Sequence, residues 1–222
     1  MRAFVITIED LPASVVAANR CIESFRRTNP AIQIKRWKAT TPKDDIVKMF
    51  TAKGIDPRYF NEQGGSYTKN CMSAFMSHFR LWEHSVIMNE EIIILEHDAV
   101  AVGHIPLDMR YKGCVNLGKP SYGKWEQPKS IGLNPLTSKQ YFPGAHAYRL
   151  KPEAARTLIH TATEGKLAGP TDVFLNLEWF PFLEEYYPWP VEARDNFTTI
   201  QRDVGCRAKH NWSNEYAILQ VR

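Results

Sequence analysis

What most constrains this chain is the way its apolar blocks change period. Ala3-Phe4-Val5-Ile6-Thr7-Ile8 is an unbroken run rich in β-branched and aromatic residues, the pattern of a strand buried on both faces. Pro12 then opens a helix in which Val15, Val16, Ala18, Cys21, Ile22 and Phe25 recur at helical spacing, and Asn29-Pro30 stops it. Ile32, Ile34 and Trp37 predict a second strand, followed by a short helix over about 43–53 that ends at Gly54. Strand, helix, strand, helix implies an α/β fold, a mostly parallel sheet flanked by helices.

The strongest helical segment runs from Thr68 to Met88, beyond a flexible Gly64-Gly65-Ser66 loop. Cys71, Phe75, Phe79, Trp82 and Val86 form an apolar stripe, while Asn70, Ser73, Ser77, Arg80 and His84 form a polar one displaced around the cylinder. A solvated face explains such a polar stripe as well as a binding face does. Ile92-Ile93-Ile94-Leu95 has the look of a central strand, with Glu96-His97-Asp98-Ala99 at its end.

After residue 103 the pattern weakens, with one strand expected near Cys114-Val115-Asn116-Leu117 and a mobile loop over about 118–141, rich in Gly and Pro. Order returns with a strand at Gly144–Leu150, a helix opened by Pro152, and a second helical candidate from Asp172 to Phe180. The aromatic stretch Tyr186-Tyr187-Pro188-Trp189-Pro190 reads as Pro-broken tail. No stretch has the composition of a linker, so residues 1–222 are read as one domain.

Composition removes several classes. At 44% hydrophobic and 23% charged, the chain is neither disordered nor fibrous. No apolar run approaches the ~20 residues of a membrane-spanning helix, and the first apolar stretch is too short and too soon acidic for a signal peptide. A soluble, cytoplasmic protein is expected. The four cysteines are scattered without metal or redox spacing, the pattern of reduced, buried thiols. A net charge of +4 mildly favours anionic partners.

No Gly-rich dinucleotide fingerprint follows the first strand and no Walker loop occurs anywhere, which sets aside dehydrogenases and P-loop ATPases. Glu96 and Asp98 are the more informative pair. Two carboxylates leaving the end of a central strand suit a divalent hard cation, which in turn can neutralise a diphosphate. Surface charge is the ordinary explanation of such a triplet; the buried run before it argues for a site.

Ser77-His78 within a long helix, Leu95 to Ala99, then Gly144-Ala145-His146-Ala147-Tyr148 and Pro152 to Ala155, in that order, resemble glycosyltransferase family 25, the lipooligosaccharide and collagen galactosyltransferase relatives. Pro170-Thr171-Asp172 resembles the later Pro-x-Asp element of that family, and the likeness spans about residues 64–180. Cys71 stands six residues before Ser77, His97 replaces the middle Asp of the acidic motif, and Thr7-Ile8-Glu9-Asp10 stands where the family has Asn-Leu-x-Arg.

The resemblance implies a GT-A-like, Rossmann-related fold and transfer of a sugar from a nucleotide-sugar donor, a UDP-sugar first among them, with Mn²⁺ or Mg²⁺. It implies Asp98, Glu96 and His210 as metal ligands and Thr7, Ile8, Ser77, His78 and Arg80 on the donor. It implies Asp172 as catalytic base, with Glu96 the second catalytic carboxylate. As a helix N-cap Asp172 needs no catalysis to explain it, and His210 beside Lys209 reads equally as an exposed histidine. His146 is a further candidate on the acceptor side. The acceptor is a glycan or, given the basic surface, a hydroxymethylated base in DNA.

Two rivals belong to other classes. A haloacid-dehalogenase-type phosphatase needs Asp first in its acidic triplet, because the aspartyl-phosphate is its intermediate, and here Glu96 stands first. A non-catalytic nucleotide- or nucleic-acid-binding module would use the aromatic and basic residues between Tyr111 and Trp125 and the tail residues Arg202, Arg207, Lys209 and Trp212.

Overall fold

A computed structural model of the chain describes residues 1–60, 68–164, 168–194 and 199–200. The Gly64-Gly65-Ser66 loop, Cys206, the tail residues Arg202, Arg207, Lys209 and Trp212, and His210 lie outside the described residues.

Seven strands form one mixed sheet. β1 (Arg2–Thr7) pairs in parallel with β2 (Gln33–Lys38) and β3 (Ile92–Glu96), as the sequence pattern implies. β7 (Ala147–Leu150) then inserts antiparallel between β3 and β5 (Cys114–Asn116), with Leu95 opposite Ala147. β8 (Leu183–Tyr187) runs parallel to β5, and β6 (Gly132–Pro135) closes the edge antiparallel. The order is β2-β1-β3-β7-β5-β8-β6, in which all strands but β6 and β7 point the same way. A separate pair joins β4 (Ala99–Ala101) to β9 (Val191–Ala193).

Alternation along the strands sends neighbouring residues to opposite layers. Phe4, Ile6, Ile92, Ile94, Tyr148 and Leu150 face α2 (Ile46–Lys53), α3 (Thr68–Met88) and α4 (Pro152–Thr163). Ala3, Val5, Ile93, Leu95 and Ala147 face α1 (Pro12–Thr28) through Ala18, Cys21 and Phe25. Every described cysteine, Cys21, Cys71 and Cys114, is a buried free thiol. Among the described residues no helix is long and apolar enough to cross a membrane.

Three expectations are corrected. The segment 118–141, expected as loop, carries β6. The Pro-broken stretch near Tyr186 holds β8 and leads directly into β9, because Pro188 and Pro190 fall between those strands rather than within them. The helix expected over 172–180 is a single turn, α5 (Thr171–Phe174). Leu175 leaves helical geometry at ψ 76°, and Asn176 caps the break: its Nδ2 donates to the Val173 carbonyl at 2.8 Å and its Oδ1 accepts from Trp179 N–H at 3.1 Å.

His146, at the mouth of β7, is packed between two glycines. A methyl group on Gly118 would stand 2.5 Å from His146 Nε2 and 2.7 Å from Cε1, and Gly144 adopts φ +96° against the other side of the same ring. Gly118→Ala is therefore expected to destabilise the fold by about 1–3 kcal/mol, seen as a lowered urea midpoint with an unchanged slope.

Candidate functional site

The site assembles where β3 ends. A Glu at the last position of that strand keeps its carboxylate at the sheet margin, with the side chain 30% exposed. Over it lies α3, whose apolar stripe fixes the helix by burying Phe75, Phe79 and Trp82. His78 sits one turn from both Phe75 and Trp82 and is carried inward with them, to 1% exposure. Its Nε2 lies 3.3 Å from Glu96 Oε1, and its Nδ1 lies 2.9 Å from the Tyr148 hydroxyl.

The indole of Trp82 settles the direction of these bonds. Trp82 Nε1 only donates, and does so to the Tyr148 oxygen at 2.8 Å. Tyr148 then satisfies its own O–H by donating to His78 Nδ1, which leaves the proton on Nε2 to be donated to Glu96. Each buried polar group in this chain of four has a partner. Burial holds the imidazole neutral, pushing its pKa down to about 3 against the opposing pull of the Asp172 charge.

Partial withdrawal from water pushes Glu96 up to about 7; the His97 charge works against the rise and the Asp172 charge adds to it. Asp172 is also raised, first by burial, while hydrogen bonds from the Tyr122 hydroxyl and from backbone N–H groups at Val173, Asp172 and Gly144 favour its anion. Glu96 and Asp172 thus belong to one electrostatic centre, with neutral His78 beside them. Both carboxyl groups are shifted toward their neutral forms, the kind of tuning that proton transfer uses.

The acidic doublet parts at the strand end. Glu96 turns to α3, whereas the tight turn at His97-Asp98 carries Asp98 toward α1. There Asp98 adds to the burial that raises the Cys21 thiol pKa, and its carbonyl accepts from Arg194 N–H at 2.9 Å. β4 continues along α1, Ala101 N–H donating to Ser24 Oγ at 2.9 Å. Among the described residues no three His, Cys, Asp or Glu side chains converge as a ready ligand set.

The remaining expected residues line the ends of β1 and β2. Thr7 is fully buried, its hydroxyl bonded to the Val5 carbonyl at 3.0 Å. Ile8 N–H donates to Ser14 Oγ at 2.9 Å, and Ser14 Oγ lies 3.1 Å from His97 Nδ1, so the first loop is tied to the acidic motif. Ser77 is fully buried; its hydroxyl accepts from Thr40 N–H at 2.9 Å and donates to the Ser73 carbonyl at 2.8 Å. Arg80 stacks over Trp37 at 5.5 Å and reaches Thr40 Oγ1 at 3.4 Å. Ser73 is buried and His84 packs edge-on to Phe4, so much of the polar stripe of α3 faces protein rather than water. His146 is buried in its glycine cradle.

The sequence reading missed Tyr148, Trp82, Ser14 and Tyr122 as parts of this centre. Tyr148 had a signal, since it shares a strand with the His146 motif and alternation aims it at α3. Tyr122, arriving from the weakly patterned segment, had none.

No protein-family model matches the chain, and neither does any curated protein. Two crystal structures of the glycosyltransferase GlyE of Streptococcus pneumoniae TIGR4, one of them the apo form, are similar to it with a TM-score of 0.44 and 12% identity. They cover 83% and 84% of this chain but only 44% of GlyE, so the chain spans less than half that enzyme's length. A likeness this distant carries no functional weight.

Proposed function

We propose that the chain is a GT-A-type glycosyltransferase that moves a sugar from a nucleotide-sugar donor, a UDP-sugar first among them, to a hydroxyl of a glycan or of a hydroxymethylated DNA base. The observation that carries this reading is the convergence of Glu96, His78 and Asp172, from a strand, a helix and a one-turn helix, at the carboxyl end of a central strand. In open α/β sheets that is where ligands bind.

Asp172 is the base. As the acceptor oxygen forms its bond to the anomeric carbon, Asp172 takes the hydroxyl proton, and the breaking glycosidic bond leaves its electron pair on the departing nucleoside diphosphate. Glu96, oriented by the His78 Nε2–H, hydrogen-bonds donor hydroxyls. Arg80 and the loop after Thr7 and Ile8 bracket the nucleotide side. Asp98, with donor phosphate oxygens, would hold Mn²⁺ or Mg²⁺, and such an ion supplies Lewis-acid neutralisation of the leaving diphosphate.

The test is thermal denaturation with UDP, UDP-galactose and UDP-glucose, each with and without Mn²⁺. A ligand present at 100 times its dissociation constant contributes about 2.7 kcal/mol, a shift easily seen. Asp98→Ala is expected to abolish the manganese-dependent part and leave the unliganded transition unchanged. Equal shifts in parent and variant would remove Asp98 as ligand; no shift with any nucleotide would remove the enzyme reading. A binding module without chemistry would shift yet release no UDP.

A further inference from the structure

Asp172 is held at both oxygens. Val173 N–H donates to Oδ1 at 3.0 Å, and the Tyr122 hydroxyl donates to Oδ2. Each carboxylate oxygen has a second lone pair, so the grip fixes the plane of the group without exhausting it. Tyr122 is itself braced. Lys139 Nζ lies 4.9 Å from the centre of the Tyr122 ring and 4.7 Å from that of Tyr141, and donates to the Tyr141 hydroxyl at 2.9 Å. One residue earlier, Ser121 Oγ donates to the Pro143 carbonyl at 3.2 Å, which pins the chain beside Gly144. A tyrosine clamped on three sides is well placed to set the orientation of the carboxylate it touches.

We propose that Tyr122 is a positioning residue for Asp172: its hydroxyl fixes the carboxylate in the orientation that receives the acceptor proton, and the ammonium of Lys139 between Tyr122 and Tyr141 holds that hydroxyl in place. This inference rests on the reading of Asp172 as base. It gives the segment 118–141 a catalytic duty: this part of the chain delivers the side chain that aims the base. The groups around Asp172 are Glu96 from β3, His78 and Cys71 from α3, and Tyr122 with Tyr141 and Lys139 behind it. Of these, Tyr122 alone is bonded to the carboxylate by its side chain.

The test measures UDP release from UDP-galactose and UDP-glucose, with methyl glycosides or water as acceptors, for the parent, Tyr122→Phe, Asp172→Asn, the double variant and Lys139→Met. Asp172→Asn is expected to lower kcat by about 10² or more. Tyr122→Phe is expected to lower kcat by about 10-fold to 100-fold while KM for the donor stays unchanged, because only the orientation of the base is lost. Lys139→Met, which frees the ring but keeps the hydroxyl, should fall between parent and Tyr122→Phe.

The decisive variant is the double one. If Tyr122 acts through Asp172, Tyr122→Phe adds nothing once Asp172→Asn is present. A merely structural tyrosine would multiply the two losses, or raise KM along with a lowered thermal transition, and either result would overturn the inference. If Asp172→Asn were crippled and Tyr122→Phe fully active, only this inference would fall. If Asp172→Asn kept full activity, or the parent released no UDP, the functional reading would fall and take it along.

Discussion

Glu91→Ala is expected to cost about 3–5 kcal/mol of folding stability, one of the largest single effects in the chain. The reason lies in Arg149. Its guanidinium is 3% exposed in β7, at the end of the sheet opposite the site, and its only acid partner among the described residues is Glu91, with Nε 2.7 Å from Oε1. Two carbonyls, Pro106 and Leu107, each accept from one of its terminal nitrogens at 2.9 Å, and Tyr111 stacks 5.2 Å away while its own hydroxyl donates to Glu91. Truncating Glu91 leaves a permanent positive charge in low dielectric without a counter-ion, because arginine does not shed its proton. Glu91→Gln keeps an acceptor and should cost less. Adding Arg149→Met to Glu91→Ala should recover most of the loss. Guanidinium titrations of the parent, Glu91→Ala, Arg149→Met and the double variant measure the coupling; additive losses would show that the pair is not a unit.

His78→Gln is expected to flatten the acid side of the stability profile. The folded imidazole has its pKa pushed down to about 3 by burial, against an ordinary value of 6.5. Between those values the unfolded chain holds a proton that the folded protein does not. The contribution of His78 is therefore complete above about pH 6.5 and is lost as pH falls toward 3. By pH 4 the loss amounts to roughly 3 kcal/mol. Glutamine does not titrate, so urea midpoints of the variant should decline less between pH 7.5 and 4 than those of the parent. Parallel declines would place the acid sensitivity elsewhere.

The legible parts of this protein are those where one period persists. β1, α1, α3 and β3 each repeat a single pattern long enough to exclude alternatives, and they lie close to where the pattern puts them. β8 and β9 were hidden because prolines flank them so closely that the run reads as broken. α5 stopped early because Asn176 satisfies the backbone locally, a device that periodicity does not register. Within the site, Glu96, His78 and Asp172 were each visible as residue types, and the structure brings those three together. Glu96 and Asp98 were expected to project together once the chain turned after β3, but that turn leaves Glu96 against α3 and sends Asp98 toward α1. Long-range partners such as Tyr122 depend on where the chain returns, 50 positions before Asp172 in sequence, and no local pattern encodes that.

The insertion of β7 between β3 and β5 has a consequence for biosynthesis. A ribosome that has completed β5 has released a three-stranded fragment, β2-β1-β3, and a β5 strand that shares no hydrogen bond with it until residues 147–150 emerge. Until then the Ile-rich rim of β3 stands open as a template for any passing strand. Nascent chains halted before Ala147 should therefore depend on chaperones far more than chains halted after Leu150, and the difference would be read as the fraction of each that remains soluble on release.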